Sequence, residues 1–518
     1  MRRQDIRLLA LARQGDLAAR CEVGRRYLLG ADGFPQHPGT GLEHLRQAAR
    51  QDAGRAARVL AECLPLHELL QAGEWPMLER AAADGSAIAQ MRLALVKFGL
   101  GGDSAEKDLG DAWIWLQRAA AQHAGAERVL DAAWAASRAQ RLAVLLAAAA
   151  REDRIDAQAV ALWVATRAQA LGRLDALAAA LSAAMALHPV NSPWPEGLAQ
   201  GFVALLHGAH AARKSLPSVP AEALRQALER CAAAGDQAAM SLLGRALSGL
   251  AADGVPATVF EGQHNVRKGA AWLLRAADAG DSEAWLHLYR LHADHRLSVA
   301  NPQMARFFLE KAAQMGLAEA QRKLGALLLR GAAGLAESEQ AIAWLHAAAA
   351  QGDGHARALL RTLVLPVGGT DAEAAWALSM VQEHDVGLAA RLALARAFGL
   401  TKLEALSVDP SDGLRPWGLV VGRNPFVVQA RLSAPRAVPA LDAAAQQVAE
   451  RAATLFTQIP AGGDLRVRSL RQRRLFERLG LSEAVFFADA SASVLDTLRL
   501  GPKWAHRTRA PLSLALAA

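Results

Sequence analysis

Cysteine, β-branched residues and long apolar runs are all scarce in this chain, and each scarcity narrows what it can be. Cysteine occurs three times in 518 residues, at Cys21, Cys63 and Cys231. The number is odd, the spacings are long and no CxxC pair occurs, so neither a disulfide framework nor a cysteine-held zinc site is expected. The longest stretch free of Asp, Glu, Lys and Arg runs from Ala176 to Pro195 and is interrupted by Pro189, Pro193 and Pro195, which excludes a membrane-spanning helix there. The N-terminus offers only Leu8 to Ala12 before Arg13, too short an apolar run for a secretory leader, so the expected location is the cytoplasm. No GxSxG, GxxxxGK[ST] or strand-linked GxGxxG is present, and the usual nucleophile-elbow, P-loop and dinucleotide frameworks are missing with them.

What is abundant is alanine and leucine within a 52% apolar composition, which favours helix over strand and disfavours disorder. Charge is unevenly spread. Residues 411–518 hold 15 Lys+Arg against 8 Asp+Glu, whereas residues 1–410 hold 43 against 42. The long N-terminal part is balanced and the C-terminal part is basic, an asymmetry that bears on partners rather than on fold.

One phrase recurs along the chain: Leu, two residues, Ala or a substitute, Ala, two residues, Gly. It appears at Leu78–Gly85, Leu228–Gly235, Leu273–Gly280, Leu309–Gly316 and Leu345–Gly352, with weaker copies from Leu45, Leu116 and Leu378. Four residues after each phrase stands alanine (Ala56, Ala89, Ala239, Ala284, Ala320, Ala356), and four further on leucine (Leu60, Leu93, Leu243, Leu288, Leu324, Leu360). Gly15, Ala19 and Val23 start an earlier unit in the same frame. Ala and Leu four apart share a helix face, so each unit reads as a pair of helices in which small alanines let the neighbour approach. The glycine fits the left-handed position that ends a helix, and Asp236, Asp281, Asp353 or Ser86 can cap the next. A lone unit cannot bury its apolar face, but stacked units can, which predicts a solenoid.

The full pattern, A…LG…(Y/L)..G……A..WL..AA..G, resembles the Sel-one-like repeat, a relative of the tetratricopeptide repeat. Ala320 to Gly352 carries it with Leu324-Gly325, Gly331, Ala341, Trp344-Leu345 and Ala347-Ala348; Ala239 to Gly280 and Ala19 to Asp52 carry it too. The resemblance covers about 16–123 and 221–385. It implies an all-α, α/α superhelical solenoid whose work is scaffolding or adaptor binding of other proteins. The expected organisation is N-terminal repeats over 1–123, degenerate helical repeats or a spacer over 124–220, a second repeat block over 221–407 and a small basic module, α with some β, over 408–518. In that module Trp417–Val421 and Phe426–Leu432 read as a short hairpin around Gly422–Pro425. Helical patterns follow near 440–458, 464–480 and 482–500.

Five features invite a functional reading. Arg466, Arg468, Arg471, Arg473, Arg474 and Arg478, with Lys503, Arg507 and Arg509 beyond them, form a basic set that could meet an acidic partner, nucleic acid or an anionic surface; the plainer reading is a solvated helix face and a frayed tail. Residues 391–408 have the spacing of a helix-turn-helix, yet Lys402, Glu404 and Asp409 offer little to phosphate, and the segment continues the two-helix rhythm. His287, His292 and His295 cluster without an HExxH or cysteine partner and read as solvent-facing or loop residues. Ser104-Ala-Glu-Lys107 matches SxxK but falls in a repeat loop. Trp115, Trp272 and Trp344, with Phe308, fill one repeat column and are expected to pack between helices, and Cys231 takes the place of a column alanine.

No catalytic residue, metal or cofactor is implied. The function expected is a protein–protein scaffold or adaptor that holds a partner segment along a groove of stacked helices. The contacts would come from positions between the Ala and Leu columns: Glu283, Trp285, His287, Gln321, Arg322 and Arg357. Two other classes stand beside it: a nucleic-acid-associated regulator acting through the basic module, and an enzyme with a site in 408–518.

Overall fold

The computed structural model describes the chain apart from residues 1–2, 102–105, 138–139, 190–191, 193, 213–220, 252–256, 261, 263, 423–433, 459–463 and 518. It resolves into two compact units, 1–280 and 281–518.

In the first unit, consecutive helices pack as hairpins. Leu17–Leu29 lies on Pro38–Ala49, Ala87–Gly101 on Glu106–Ala120, Ala157–Ala170 on Leu174–Ala186, and Gln237–Leu247 on Val266–Asp278. The 124–220 stretch is helical as well where it is described. The predicted alanine and leucine columns are buried: Ala19, Val23, Ala56, Leu60, Ala89, Leu93, Ala239 and Leu243 are each at most 4% exposed. The end of each hairpin follows from the same short list of residues. Gly85 and Gly235 adopt φ of 90° and 95°, as a helix terminus of this kind requires. The aspartate then caps the following helix: Asp16 Oδ1 accepts from the Ala19 amide at 2.7 Å, and Asp236 Oδ1 from Ala239 at 2.7 Å. A buried Arg92 ties distant turns together, donating to both carboxylate oxygens of Asp153 (2.6 and 2.8 Å) and to the carbonyls of Ala61 and Leu64.

The second unit opens with the same rhythm. Ser282–Ala293 packs on Pro302–Gln314, Ala318–Gly331 on Leu335–Ala350, and Asp371–Gln382 on Val386–Phe398. The glycine of the Leu-Gly pair matters here. A Cβ on Gly325 would sit 2.8 Å from Leu345 Cγ and 2.9 Å from the Ala341 carbonyl, so the two helices touch backbone to side chain only because no Cβ is there.

Beyond 407 the chain forms a three-stranded antiparallel sheet, β1 (Leu414–Arg415), β2 (Gly418–Val421) and β3 (Arg436–Pro439), in the order β1-β2-β3. The expected hairpin partner of Trp417–Val421, residues 426–432, lies outside the described residues, and β2 instead pairs with β3, Leu419 opposite Val438. Alternation of side chains divides this strand between two cores. Leu419, Val421 and Val438 join a cluster with Leu392, Phe398, Leu406, Phe476 and Phe486. Val420, Ala437 and Trp417 join another with Leu329, Leu345, Leu360, Trp504, Leu512 and Ala515. A strand covered on both faces reads as a continuous apolar run, which is what Gly-Leu-Val-Val is.

The helices Ala443–Gln458 and Leu465–Leu479 form as expected. The third does not run through 482–500. A 3-10 turn at Glu483–Val485 leads into extended chain whose Phe486 and Phe487 are buried, and the Ala488 amide donates to the Leu400 carbonyl at 2.9 Å. The helix restarts only at Ala492–Thr497, where Ser491 caps it by accepting from the Val494 amide. The end of the chain is not frayed. Gly501–Arg507 and Arg509–Ala517 pack on the repeat helix Ala318–Gly331, and Trp504 Nε1 donates to Thr362 Oγ1 at 3.0 Å.

Candidate partner-binding surfaces

The six positions expected to line a groove do not share one exposed strip. Glu283 and Arg357 are exposed and Trp285 is half-buried, its ring 5.9 Å from that of Phe308. His287, Gln321 and Arg322 are buried, at 7%, 6% and 4% exposure, and are not available to a partner on this surface. The reason is helix geometry. The residue immediately after the column alanine turns back over the preceding loop: Gln321 Nε2 reaches the Ala313 carbonyl and its Oε1 accepts from Gln351 at 2.9 Å. Arg322 is drawn under the next turn, 3.3 Å from Asp353, the residue that caps the following helix.

The tryptophan column is correspondingly less buried than a pure packing role requires. Phe308 is in the core, but Trp115, Trp272 and Trp344 are half-buried, and Arg118 and Arg275 lie over the rings of Trp115 and Trp272 at 5.1 and 4.9 Å. Cys231 is buried, as the alanine it replaces would be, and burial pushes its thiol up to about 11. The three histidines diverge. His287 is inside, His292 lies with its ring tilted 52° to that of Phe308 at 5.1 Å and its imidazolium disfavoured by burial, and only His295 is exposed. The SxxK stretch lies outside the residues whose side chains are described.

The helix-turn-helix spacing at 391–408 serves the core. Its second helix, Lys402–Ser407, is six residues long with Glu404, Ala405 and Leu406 buried. Arg391, in the first helix, is buried over the Phe456 ring at 4.6 Å and donates to the carbonyls of Ala405 and Val408, and burial lowers its guanidinium to about 10. Glu404 holds a residue that sequence reasoning passed over. Arg436, on β3 and 2% exposed, donates to both its carboxylate oxygens at 2.7 and 3.0 Å, and further to the carbonyls of Leu363 and Gly399 at 3.3 Å. Burial raises the Glu404 carboxyl, but the Arg436 charge and the Thr401 hydrogen bonds outweigh it and hold the group below its ordinary value. The only sequence signal was an arginine in an apolar strand.

The basic set divides by environment. Arg468 is half-buried and donates to the Leu406 carbonyl at 3.0 Å. Arg473 pairs with Glu477 at 2.8 Å, one turn away. Arg466, Arg471, Arg474 and Arg478 are exposed. Lys503, Arg507 and Arg509 are exposed on helices of the other cluster, with Arg507 donating to Thr497 Oγ1 at 3.2 Å. An open groove of about 820 Å³ runs beside Leu465–Leu479, lined by Val467, Leu470, Arg471, Arg474, Leu475 and Arg478 and, across it, by His384 and Asp385.

Comparison with known proteins bears on the repeat helices. The Sel1 repeat matches residues 17–52, 87–123, 238–281, 295–317 and 318–353. Proteins built on it are generally protein–protein interaction scaffolds. Among solved structures, the chain is similar to a protective antigen of uropathogenic Escherichia coli strains with an SLR fold, at 18% identity over 99% of this chain and 96% of that one, TM-score 0.31. It is also similar to a Sel1 repeat protein from Oxalobacter formigenes, at 20% identity over 69% of this chain and 89% of that one, TM-score 0.27. No curated protein matches. No helix among the described residues is long and apolar enough to cross a membrane.

Proposed function

We propose that this chain, a Sel1-repeat protein, is a non-catalytic scaffold that holds a protein partner on its stacked helices. The observation that carries the reading is the repeat itself: each hairpin commits its Ala, Leu, Gly and Asp positions to packing and capping, and part of the intervening helix positions, Glu283 and Arg357 among them, stays exposed. In the second unit the exposed members of the expected contact set, Glu283 and Arg357, and the half-buried Trp285 are candidate contacts. Aromatic and arginine side chains of this kind dominate binding energy where they become fully covered.

The test is site-specific photo-crosslinking in the full chain. A photoreactive residue replaces Glu283 or Arg357, with Arg451, exposed on a different helix, as the control position. Capture of a discrete protein from the first two positions, unaffected by nuclease and reduced by Trp285→Ala, supports the scaffold. Crosslinks no stronger than those of the control, or crosslinks to nucleic acid alone, refute it.

A further inference from the structure

We propose that the groove beside Leu465–Leu479 docks an acidic amphipathic helix of a partner protein. The proposal rests on the scaffold reading and names a partner's chemistry at a second surface.

The helix Leu465–Leu479 has two apolar seams rather than one. Gln472, Leu475 and Phe476 face the core, where Gln472 Nε2 donates to Glu483 Oε1 at 3.1 Å. On another seam Val467 and Leu470 are 46% and 48% exposed. They do not stand alone. Positions 467, 470, 471, 474 and 478 follow the i, i+3, i+4, i+7, i+11 spacing of a single helical stripe, and all five line the groove. Arg471 reaches Asp385 only at 3.5 Å. Arg474 and Arg478 make no ion pair among the described residues, although Arg473, between them and Arg471 in sequence, is paired with Glu477. The groove therefore offers unneutralised guanidinium groups set around an apolar strip.

That combination selects its occupant. A nucleic acid would satisfy the arginines, but its phosphates would gain nothing from covering Val467 and Leu470, which are about half exposed. A helix with leucines flanked by glutamates satisfies both, since carboxylates accept the guanidinium forks and the leucines remove the apolar strip from water. The stripe spans about three helical turns, so the matching segment is roughly 12 to 16 residues long.

The test measures fluorescence anisotropy of a labelled helical peptide of roughly 16 residues, with leucine and glutamate on one face, against the full chain. A scrambled peptide of the same composition and a duplex DNA serve as comparators. Binding of the ordered peptide should weaken about tenfold or more in Arg474→Glu/Arg478→Glu and about tenfold in Leu470→Ser, while Arg473→Glu leaves it unchanged. All of these positions are exposed, and an unchanged circular dichroism melt verifies the fold. Equal binding of the scrambled peptide, or DNA binding as tightly with no effect of Leu470→Ser, overturns the proposal in favour of a charge-only surface. No peptide binding while Glu283 and Arg357 still crosslink to a protein overturns the groove and leaves the scaffold standing.

Discussion

Gln321 Nε2 donates to the carbonyl oxygen of Ala313 at 3.3 Å, across the turn that joins two repeat helices. The bond recurs eight residues apart in other units: Gln90 to Ala82 at 3.0 Å, Arg20 to Ala12 at 3.0 Å and Arg357 to Ala349 at 3.4 Å. In each case the donor directly follows the column alanine, and its acceptor is a carbonyl in the last turn of the preceding helix that also accepts the amide of the turn glycine three residues on. The position next to the alanine is thus a staple for the turn. Gln321→Ala should cost about 1 kcal/mol, because the turn loses one of its two hydrogen bonds to the Ala313 carbonyl and Gln351 loses its own partner, while Gly316 still satisfies that carbonyl. Arg357→Ala, whose side chain is exposed, should cost well under about 1 kcal/mol. Urea unfolding of the full chain, followed in the second unit by a local probe, measures both.

Gly325 supplies a reversal of sign. In an exposed helix, alanine is more stable than glycine by about 1 kcal/mol. At Gly325 the added Cβ would meet Leu345 Cγ at 2.8 Å and the Ala341 carbonyl at 2.9 Å, and the overpacking costs about 1–3 kcal/mol. Gly325→Ala should therefore destabilise the protein. Gly354→Ala, at a helix start with nothing within 4 Å of the new methyl, should not. Comparing the melting temperatures of the two variants decides the point.

Arg436 and Glu404 form a buried pair, so removing one partner is worse than removing both. Glu404→Ala leaves an uncompensated guanidinium and should cost about 3–5 kcal/mol, while Glu404→Leu/Arg436→Met should cost markedly less than the two single losses together. The pair also sets an acid limit. The folded Glu404 carboxyl lies below its ordinary 4.5, so its contribution is complete above that pH and is lost as the pH falls through the lowered value. Stability measured from pH 6 down to pH 3 should drop more steeply in the native chain than in the double variant.

Cys231 should be silent to thiol reagents. Its thiol, raised to about 11 by burial, is protonated at pH 8, and the side chain is 5% exposed. Cys63 is half-buried and should react first, with Cys21 and Cys231 titrating only when urea unfolds the first unit. Cys231→Ala, which restores the residue found at the equivalent place in other units, should change stability by less than about 1 kcal/mol. Rapid labelling of Cys231 in native protein would contradict this placement.

The C-terminal segment should prove integral to the second unit. Trp504 is 1% exposed among Leu329, Leu360 and Leu363, and Trp504→Ala should cost about 3–5 kcal/mol. Thr362→Val, which is nearly isosteric but loses the acceptor of the Trp504 bond, should cost about 1 kcal/mol. Denaturation of these two variants separates packing from hydrogen bonding.

The sequence by itself determined the helical hairpin. A four-residue spacing of small and large apolar residues fixes a buried face, a glycine fixes the turn, and an aspartate fixes the next start, because each depends on atoms within one or two turns of chain. Ala320 to Asp353 shows all of these signals, and the structure places each as they require. Tertiary structure alone decided the rest. Nothing local says that Arg322 is drawn in by Asp353, or that Gln351 comes to donate to Gln321, while Glu283 stays out, since that depends on which neighbouring turn lies within reach. The pairing of β2 with Arg436–Pro439, the division of its side chains between two cores and the burial of Arg436 against Glu404 join residues far apart in sequence, with no short-range pattern to announce them. The same holds for the groove. The arginines and their spacing are legible along Leu465–Leu479, but that this stripe faces His384 and Asp385 across an open cleft follows only from how distant helices pack.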